Sequence, residues 1–218
     1  MLGVARHTNV DLARRFGAAL TEVRLDLADS VELARWLESD ALAGFVGGSA
    51  TAMLVNNAGV LRPIGPLETQ EISSVVRAVA VNVAAPLMAS TAFVAATRDT
   101  SDRRILHISS SAGTKAYAGW SVYCATKAAL DHHARAVALD RTPRLRISSV
   151  APGTVDTDMQ AEIRATTAEK FPDHDRFVAM KHDGRLRTPE QVGRAVVELL
   201  LSDEFGKEPV TDLRGTSH

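Results

Sequence analysis

Short apolar runs alternate with helical stretches along the whole chain, and this alternation restricts the possible folds more than any other feature. Runs typical of strands cover residues 2–5, 22–27, 51–55, 104–109, 145–150 and 210–213. Helical patterns lie between them, at about residues 10–16, 29–43, 70–97, 121–139 and 188–201. Strands that alternate with long helices predict βαβ units and a parallel sheet. We therefore expect one α/β domain over residues 1–218, built on a doubly wound parallel sheet.

Two helix starts are marked by capping residues. Asp29 with Glu32 forms a capping-box pattern, and Thr188 with Gln191 forms a second one around Pro189. The polar stretch 154–184 shows only weak periodicity. It follows the strand at 145–150, and ligands bind beyond the carboxyl ends of the strands in such sheets.

Charge and cysteine content exclude several classes of function. The 25 Lys and Arg residues nearly balance the 26 Asp and Glu residues, for a net charge of −1. This balance gives no reason to expect nucleic acid or a membrane surface as a partner. The single cysteine, Cys124, cannot form an internal disulfide and is typical of the cytoplasm. No Cys and His spacing indicates zinc, and no apolar run approaches the roughly 20 residues of a membrane span.

Tyr123 and Lys127 are the residues that most suggest catalysis. They lie four apart in a helical stretch, so their side chains project from one face. A free phenol has a pKa of about 10, and a nearby ammonium group lowers that pKa. The pair therefore predicts a proton donor for a carbonyl oxygen. On a surface helix such a pair is usually only a solvated face, so the surrounding motifs decide its meaning.

Three further motifs occur around this pair. Ser110 ends the strand at 104–109, where its hydroxyl can hold a substrate oxygen near the phenol. Asn82 lies inside the long helical stretch, although Asn is a poor residue in mid-helix. Pro152-Gly153 ends another strand, and such a small, rigid turn lets a flat ring lie against the backbone.

Together, Asn56-Asn57-Ala58-Gly59, Ser110, the Tyr123–Lys127 pair and Pro152-Gly153 resemble the short-chain dehydrogenase/reductase family, whose fold is Rossmann-like. The resemblance implies an oxidoreductase that uses NADP(H), with a catalytic tetrad of Asn82, Ser110, Tyr123 and Lys127. In it Tyr123 is the acid/base, and Lys127 lowers the pKa of that phenol and binds the nicotinamide ribose. Ser110 orients the substrate oxygen, and Asn82 holds a water.

The resemblance also implies binding residues. Those expected to contact the cofactor are Arg6, Asp26, Asn57, Ala58, Gly59, Tyr123, Lys127, Pro152, Gly153, Val155 and Thr157. Those expected to contact the substrate are Ser110, Trp120, Met159 and Asp212. Segments 119–125 and 151–160 are similar to the sepiapterin reductase and benzil reductase subgroup, which reduces vicinal dicarbonyls. Asp212 matches the position of an aspartate that holds a pterin in that subgroup.

The start of the chain bears on the cofactor. Arg6 follows the first strand, where an NAD enzyme usually places Asp or Glu, and its guanidinium suits the 2′-phosphate of NADPH. No G-x-G-x-x-G turn occurs in the sequence, and the chain aligns from the family's second strand. We therefore expect the first strand and helix to be missing, and a mis-called start codon to explain this better than a functional short form.

Two alternatives stay open. The chain could be a non-catalytic remnant or binding protein that lost the cofactor loop, or an NAD-linked alcohol dehydrogenase of the same fold. In the resembling family, helices corresponding to 82–97 and 121–139 pair across a two-fold axis. We therefore expect a homodimer or homotetramer that acts on a small-molecule carbonyl substrate.

Overall fold

The computed structural model describes residues 1–214, in which strands and helices alternate as predicted. The strands are β1 (Leu2–Ala5), β2 (Thr21–Arg24), β3 (Thr51–Asn56), β4 (Asp102–Ile108), β5 (Leu145–Ala151) and β6 (Val210–Asp212). The helices are α1 (Val10–Phe16), α2 (Ser30–Leu37), α3 (Asp40–Val46), α4 (Ile72–Val79), α5 (Ala85–Ala96), α6 (Ser121–Leu139), α7 (Asp158–Arg164), α8 (His174–His182) and α9 (Pro189–Leu201).

The strands form two parallel sheets. β1 pairs with β2, and β3, β4, β5 and β6 pair in that order. Within residues 1–214 no hydrogen-bonded ladder joins β1 to β3. The α/β fold with parallel strands is therefore confirmed, with its strands divided between two sheets.

Helices cover both faces of the four-stranded sheet. Successive residues of β4 point to opposite faces, as strand geometry requires. Leu106 packs with Val150 against α9, whereas Ile105 packs with Phe93 of α5 and Ala134 of α6. This two-sided covering is the doubly wound arrangement that the sequence pattern predicts.

The register of the sheet brings the predicted site to one edge. Ile108 of β4 lies opposite Val150 of β5, so both strands end together. Ser110 and Pro152, which follow these strands, therefore leave the sheet at the same carboxyl edge. Asp212 of β6 lies opposite Ala151, which adds the third strand to that edge.

Capping residues account for several helix boundaries. Thr188 and Gln191 form the predicted capping box at the start of α9. Asp29 caps α2 by accepting from the backbone N–H groups of Val31 and Glu32. The backbone N–H of Asp29 donates to the Asp26 carbonyl, which takes the place expected for the Glu32 side chain.

Three predicted elements differ from the structure. The helix expected over 29–43 is two helices, because Ser39 caps α3 after α2 has ended at Leu37. The strand expected over 22–27 ends at Arg24. The stretch 154–184, in which we saw only weak periodicity, contains α7 and α8. Their buried side chains are few, which explains the weak periodicity of that stretch.

The helical stretch Ile72–Ala96 is long and apolar enough to cross a membrane by length and composition, contrary to the sequence-based expectation. A share of 44% of its apolar window is buried inside the protein. A π-helical turn at Ala80–Ala84 interrupts it, and this turn contains the fully buried Asn82. A core helix of a soluble protein passes the same test of length and composition.

Candidate active site

A cavity of about 610 Å³ opens at the carboxyl ends of β4 and β5. Three residues of the predicted tetrad, Ser110, Tyr123 and Lys127, line it. The other predicted site residues on its wall are Asn57, Gly59, Trp120, Pro152, Gly153, Val155, Thr157 and Met159. Residues from distant parts of the sequence thus converge on one cavity.

Tyr123 is buried in the first turn of α6. Burial raises the pKa of its phenol to about 12, and a hydrogen bond with Ser110 opposes this rise only in part. The net shift is therefore upward, opposite in direction to the lowered pKa that we expected for this phenol. The Lys127 Nζ lies 5.6 Å from the centroid of the Tyr123 ring and donates to the Ile108 carbonyl at 2.8 Å. The phenol is therefore protonated at neutral pH, which is the form that can donate a proton.

Lys127 is also buried, one helical turn after Tyr123. Burial lowers the pKa of its ammonium group to about 8, and the negative charge of Asp131 opposes this fall. Asp131 is itself buried and accepts from the Ser149 hydroxyl at 2.7 Å. The ammonium therefore stays mostly charged at pH 7, close to the point at which it titrates.

Asn82 supports the site from behind the cavity wall. Its Oδ1 accepts from the Val60 backbone N–H at 2.8 Å, and its Nδ2 donates to the Val60 carbonyl at 2.8 Å. Nδ2 also lies 3.1 Å from the Thr126 hydroxyl of α6. A Cβ atom added to Gly59 would lie 3.5 Å from Lys127 Nζ and 3.6 Å from Asn82 Oδ1. The loop that follows β3 therefore passes within van der Waals range of both tetrad side chains at Gly59.

The cavity suits the nicotinamide half of a dinucleotide. Its wall combines small backbone turns at Gly59 and Pro152-Gly153 with Lys127, whose ammonium can donate to a ribose hydroxyl. Gly153 has a φ of 81°, a left-handed conformation that favours glycine. The pyrophosphate half has no matching cradle in residues 1–214, because no G-x-G-x-x-G turn occurs in the sequence.

Some predicted cofactor residues lie away from the cavity. Arg6 is exposed just after β1, and Asp26 lies in the loop after β2 rather than at a strand end. A backbone hydrogen bond from Ala28, together with the charges of Arg77 and Arg6, lowers the pKa of Asp26. Arg6 and Asp26 thus lie together at the end of the two-stranded sheet. Ala58 does not line the cavity either.

Aromatic side chains cluster around Tyr123 at the cavity wall, where Trp120 and Phe177 line the cavity and Phe171 packs behind them. Trp120 stacks on Phe171 with ring centroids 4.3 Å apart and meets the edge of Tyr123 at 5.5 Å. Phe177 of α8 packs against the rings of Trp120 and Phe171. The Sδ of Met159 lies 3.9 Å from the Tyr123 hydroxyl. The sequence pattern did not indicate Phe171 or Phe177, because each is an isolated apolar residue in the polar stretch.

Asp212 lies beside the cavity rather than on its wall. Its carboxylate is bound by the guanidinium of Arg214, which lowers the pKa of Asp212. Arg214 itself lines the cavity, and we did not predict it. Among residues 1–214, no group of three or more His, Cys, Asp or Glu side chains is placed to hold a metal ion.

Comparison with known proteins identifies the family. A model of the short chain dehydrogenase family matches residues 8–168. The chain belongs to this family. A benzil reductase ((S)-benzoin forming) from Bacillus cereus is 40% identical over 156 residues, which cover 70% of this chain and 63% of that protein. A sepiapterin reductase from Mus musculus is 31% identical over 163 residues, covering 72% of this chain and 61% of the relative.

A solved structure agrees with this assignment. The crystal structure of a short-chain dehydrogenase/reductase from Burkholderia vietnamiensis is 47% identical, with a TM-score of 0.69. The match covers 99% of this chain and 86% of that one. The chain matches less than two thirds of the length of the benzil reductase and the sepiapterin reductase. The activity and substrate of this chain are therefore proposals.

Proposed function

We propose that this chain is an NADPH-dependent reductase of a small carbonyl compound, either a vicinal dicarbonyl or a pterin with a side-chain ketone. The observation that carries the proposal is the convergence of Ser110, Tyr123 and Lys127 on one cavity at the carboxyl edge of the sheet. The similarity to a benzil reductase and a sepiapterin reductase supports the substrate class.

Each tetrad residue has a defined role in this proposal. A bound nicotinamide cofactor supplies the hydride. Tyr123 holds a proton at neutral pH and donates it to the carbonyl oxygen, which Ser110 orients by hydrogen bonding. The Lys127 ammonium favours the phenolate that remains after proton transfer. Asn82 keeps the Gly59–Val60 backbone in place against Lys127.

The preference for NADPH rests on Arg6. Its guanidinium is exposed beyond β1, and no carboxylate that would suit a ribose diol follows it before Asp11. A guanidinium pairs well with a phosphate because it presents several N–H donors in a fixed fork. Arg6 therefore favours the cofactor that carries a 2′-phosphate.

A second candidate function is a non-catalytic binding protein of the same fold. The specific observation in its favour is the divided sheet, with no Gly-rich turn of the family pattern in the 218 residues. Such a protein would keep the apolar cavity and the tetrad geometry but would hold the pyrophosphate poorly.

A substrate panel separates the two candidates. Benzil, butane-2,3-dione and sepiapterin are each incubated with the protein and NADPH or NADH, while loss of the reduced cofactor and appearance of the alcohol are followed. We expect NADPH-dependent reduction of at least one vicinal diketone. Binding of the diketones with neither NADPH binding nor turnover would favour the non-catalytic candidate.

A further inference from the structure

Arg214 reaches the cavity from the strand beside the tetrad. β6 pairs with β5 up to Asp212, and Arg214 follows two residues later at the same carboxyl edge as Ser110 and Pro152. The aliphatic part of its side chain lies over Gly153, where an added Cβ atom would be 3.2 Å from Arg214 Cγ. The Arg214 side chain is therefore part of the cavity wall that also carries Tyr123.

Asp212 orients this guanidinium without using all of its donors. The carboxylate accepts from Arg214 Nε at 2.9 and 3.0 Å and from Nη2, and it also accepts from the Arg214 backbone N–H at 2.9 Å. Within the described part of the chain, Nη1 has no hydrogen-bond partner. A guanidinium has five N–H donors, so a fixed cation with free donors remains at the cavity.

The charges on the cavity wall all have the same sign. Lys127, Arg176 and Arg214 line it, and no Asp or Glu is among the described residues that do so. Arg176 Nη1 lies 3.7 Å from Asp173 Oδ2. This ion pair is loose, and both of its side chains are about half exposed. Cations around a cavity with apolar walls attract an anionic ligand more strongly than they would in bulk water.

We propose that Arg214 binds a carboxylate on the substrate, next to the carbonyl that is reduced, so that the preferred substrate class is the 2-oxo acids. The inference rests on the proposed carbonyl reductase function and names its substrate class. A 2-oxo acid keeps the vicinal pair of oxygen-bearing carbons found in a diketone. The carboxylate meets Arg214, while the ketone oxygen meets Ser110 and Tyr123.

An equilibrium binding experiment without cofactor tests this proposal. Phenylglyoxylate and its methyl ester have the same aromatic ketone and differ mainly in the negative charge. In calorimetry, we expect the wild type to bind the acid at least about tenfold more tightly than the ester. Hydrogen bonds to a charged group contribute more binding free energy than hydrogen bonds to a neutral one. In Arg214→Gln the ratio of the two affinities should fall to about one. Arg194→Gln removes the same positive charge from the exposed face of α9, and it should keep the wild-type ratio of the two affinities.

One further variant and one further ligand make the outcome decisive. Asp212→Asn should keep or increase the preference for the acid, because it removes the competing carboxylate but leaves Arg214. NADPH is the other anion that Arg214 could bind, and its affinity should be the same in Arg214→Gln and wild type. A loss of NADPH affinity with an unchanged acid-to-ester ratio would overturn the proposal and assign Arg214 to the cofactor.

The outcome for this inference is distinct from that for the proposed function. Reduction of the ester and of neutral diketones with no preference for the acid would defeat the role of Arg214 while leaving the reductase function in place. A clear preference in binding with no reduction of any carbonyl substrate would defeat the reductase function instead.

Discussion

At the scale of single residues, burial sets the protonation of the two central tetrad groups. It keeps the Tyr123 phenol protonated, and it brings the pKa of Lys127 down to about 8. The sequence spacing predicted that these side chains would share one helix face, which the structure confirms. Their pKa values were not predictable in the same way. The desolvation of these side chains depends on how α7, α8 and the loop after β3 pack around them.

We predict that Lys127 controls the pH dependence of reduction. The Lys127 ammonium is charged well below its pKa of about 8 and loses its charge as the pH rises through that value. The rate, measured as kcat/KM against pH, should therefore fall above about pH 8, while Tyr123 stays protonated. Lys127→Arg should shift this fall to higher pH, because a guanidinium stays charged. A wild-type profile that is flat well above the pKa of Lys127 would refute this role.

We also predict that Arg6 sets the cofactor preference. Arg6→Ala should weaken NADPH binding by about tenfold or more and leave NADH binding almost unchanged, since only NADPH carries the 2′-phosphate. Arg24→Ala, at the exposed end of the neighbouring strand β2, is the matched control. Titration of each variant with both cofactors measures the effect. Equal losses for NADPH and NADH would show that Arg6 does not contact the phosphate.

At the scale of elements, β3, β4 and α6 are joined by a chain of polar side chains centred on the buried His107. Asn56 Nδ2 lies 3.1 Å from His107 Nδ1, and His107 Nε2 lies 3.0 Å from His133 Nδ1. An amide nitrogen only donates, so His107 accepts at Nδ1 and carries its proton at Nε2, from which it donates to His133. Burial, with the nearby charges of His133 and Lys127, lowers the pKa of His107 to about 3.

This chain makes the fold sensitive to acid. His107 has an ordinary pKa of 6.5 when unfolded and about 3 in the fold, so the neutral ring favours folding. The contribution is complete above pH 6.5 and is lost as the pH falls from 6.5 towards 3. We predict that the wild-type melting temperature drops between about pH 7 and pH 5 more steeply than that of His107→Gln. His132→Gln, at the exposed neighbour of His133, should behave like wild type; equal slopes for wild type and His107→Gln would contradict the prediction.

The elements also show how far the sequence could be interpreted. α6, α9, β4 and β5 were predictable because their apolar residues repeat regularly and cap signals mark the α9 start. Asn82 was a marked exception inside a helix, and the structure places a π-helical turn there. The contact between His107 and His133 was not predictable, because it joins a strand to a helix through side chains 26 residues apart. Arg214 was missed because only the pairing of β6 with β5 brings it to the cavity.

At the scale of the whole molecule, an apolar surface lies on α4 beside α6. Ile72, Val76 and Val79 of α4 are 82%, 63% and 45% exposed. Val75 and Val83 continue this surface towards Val122 of α6, with which they line a shallow apolar groove. We expected the dimer to form through helices at 82–97 and 121–139. The apolar surface of α4 lies before the first of these two ranges in the sequence.

We predict that this surface joins two copies of the chain. Val76→Glu should shift the protein from dimer to monomer, because it would place a charge inside an apolar interface. Light scattering at micromolar concentration measures the molecular mass of wild type and variant. Val31→Glu, at an exposed valine of α2, is the control and should stay dimeric. A monomeric wild type would contradict the prediction.

The most direct test of the account is whether the Tyr123 hydroxyl is needed for reduction. Benzil reduction by NADPH should be compared in the wild type, Tyr123→Phe and Tyr117→Phe, since Tyr117 is the other tyrosine of the chain and lines the same cavity. General acid catalysis typically contributes about 10²- to 10⁴-fold, so Tyr123→Phe should lose at least that factor in turnover. Its NADPH affinity should change little, and Tyr117→Phe should keep most of the turnover. Near-complete activity in Tyr123→Phe would contradict the assignment of this residue as proton donor and, with it, the proposed reductase mechanism.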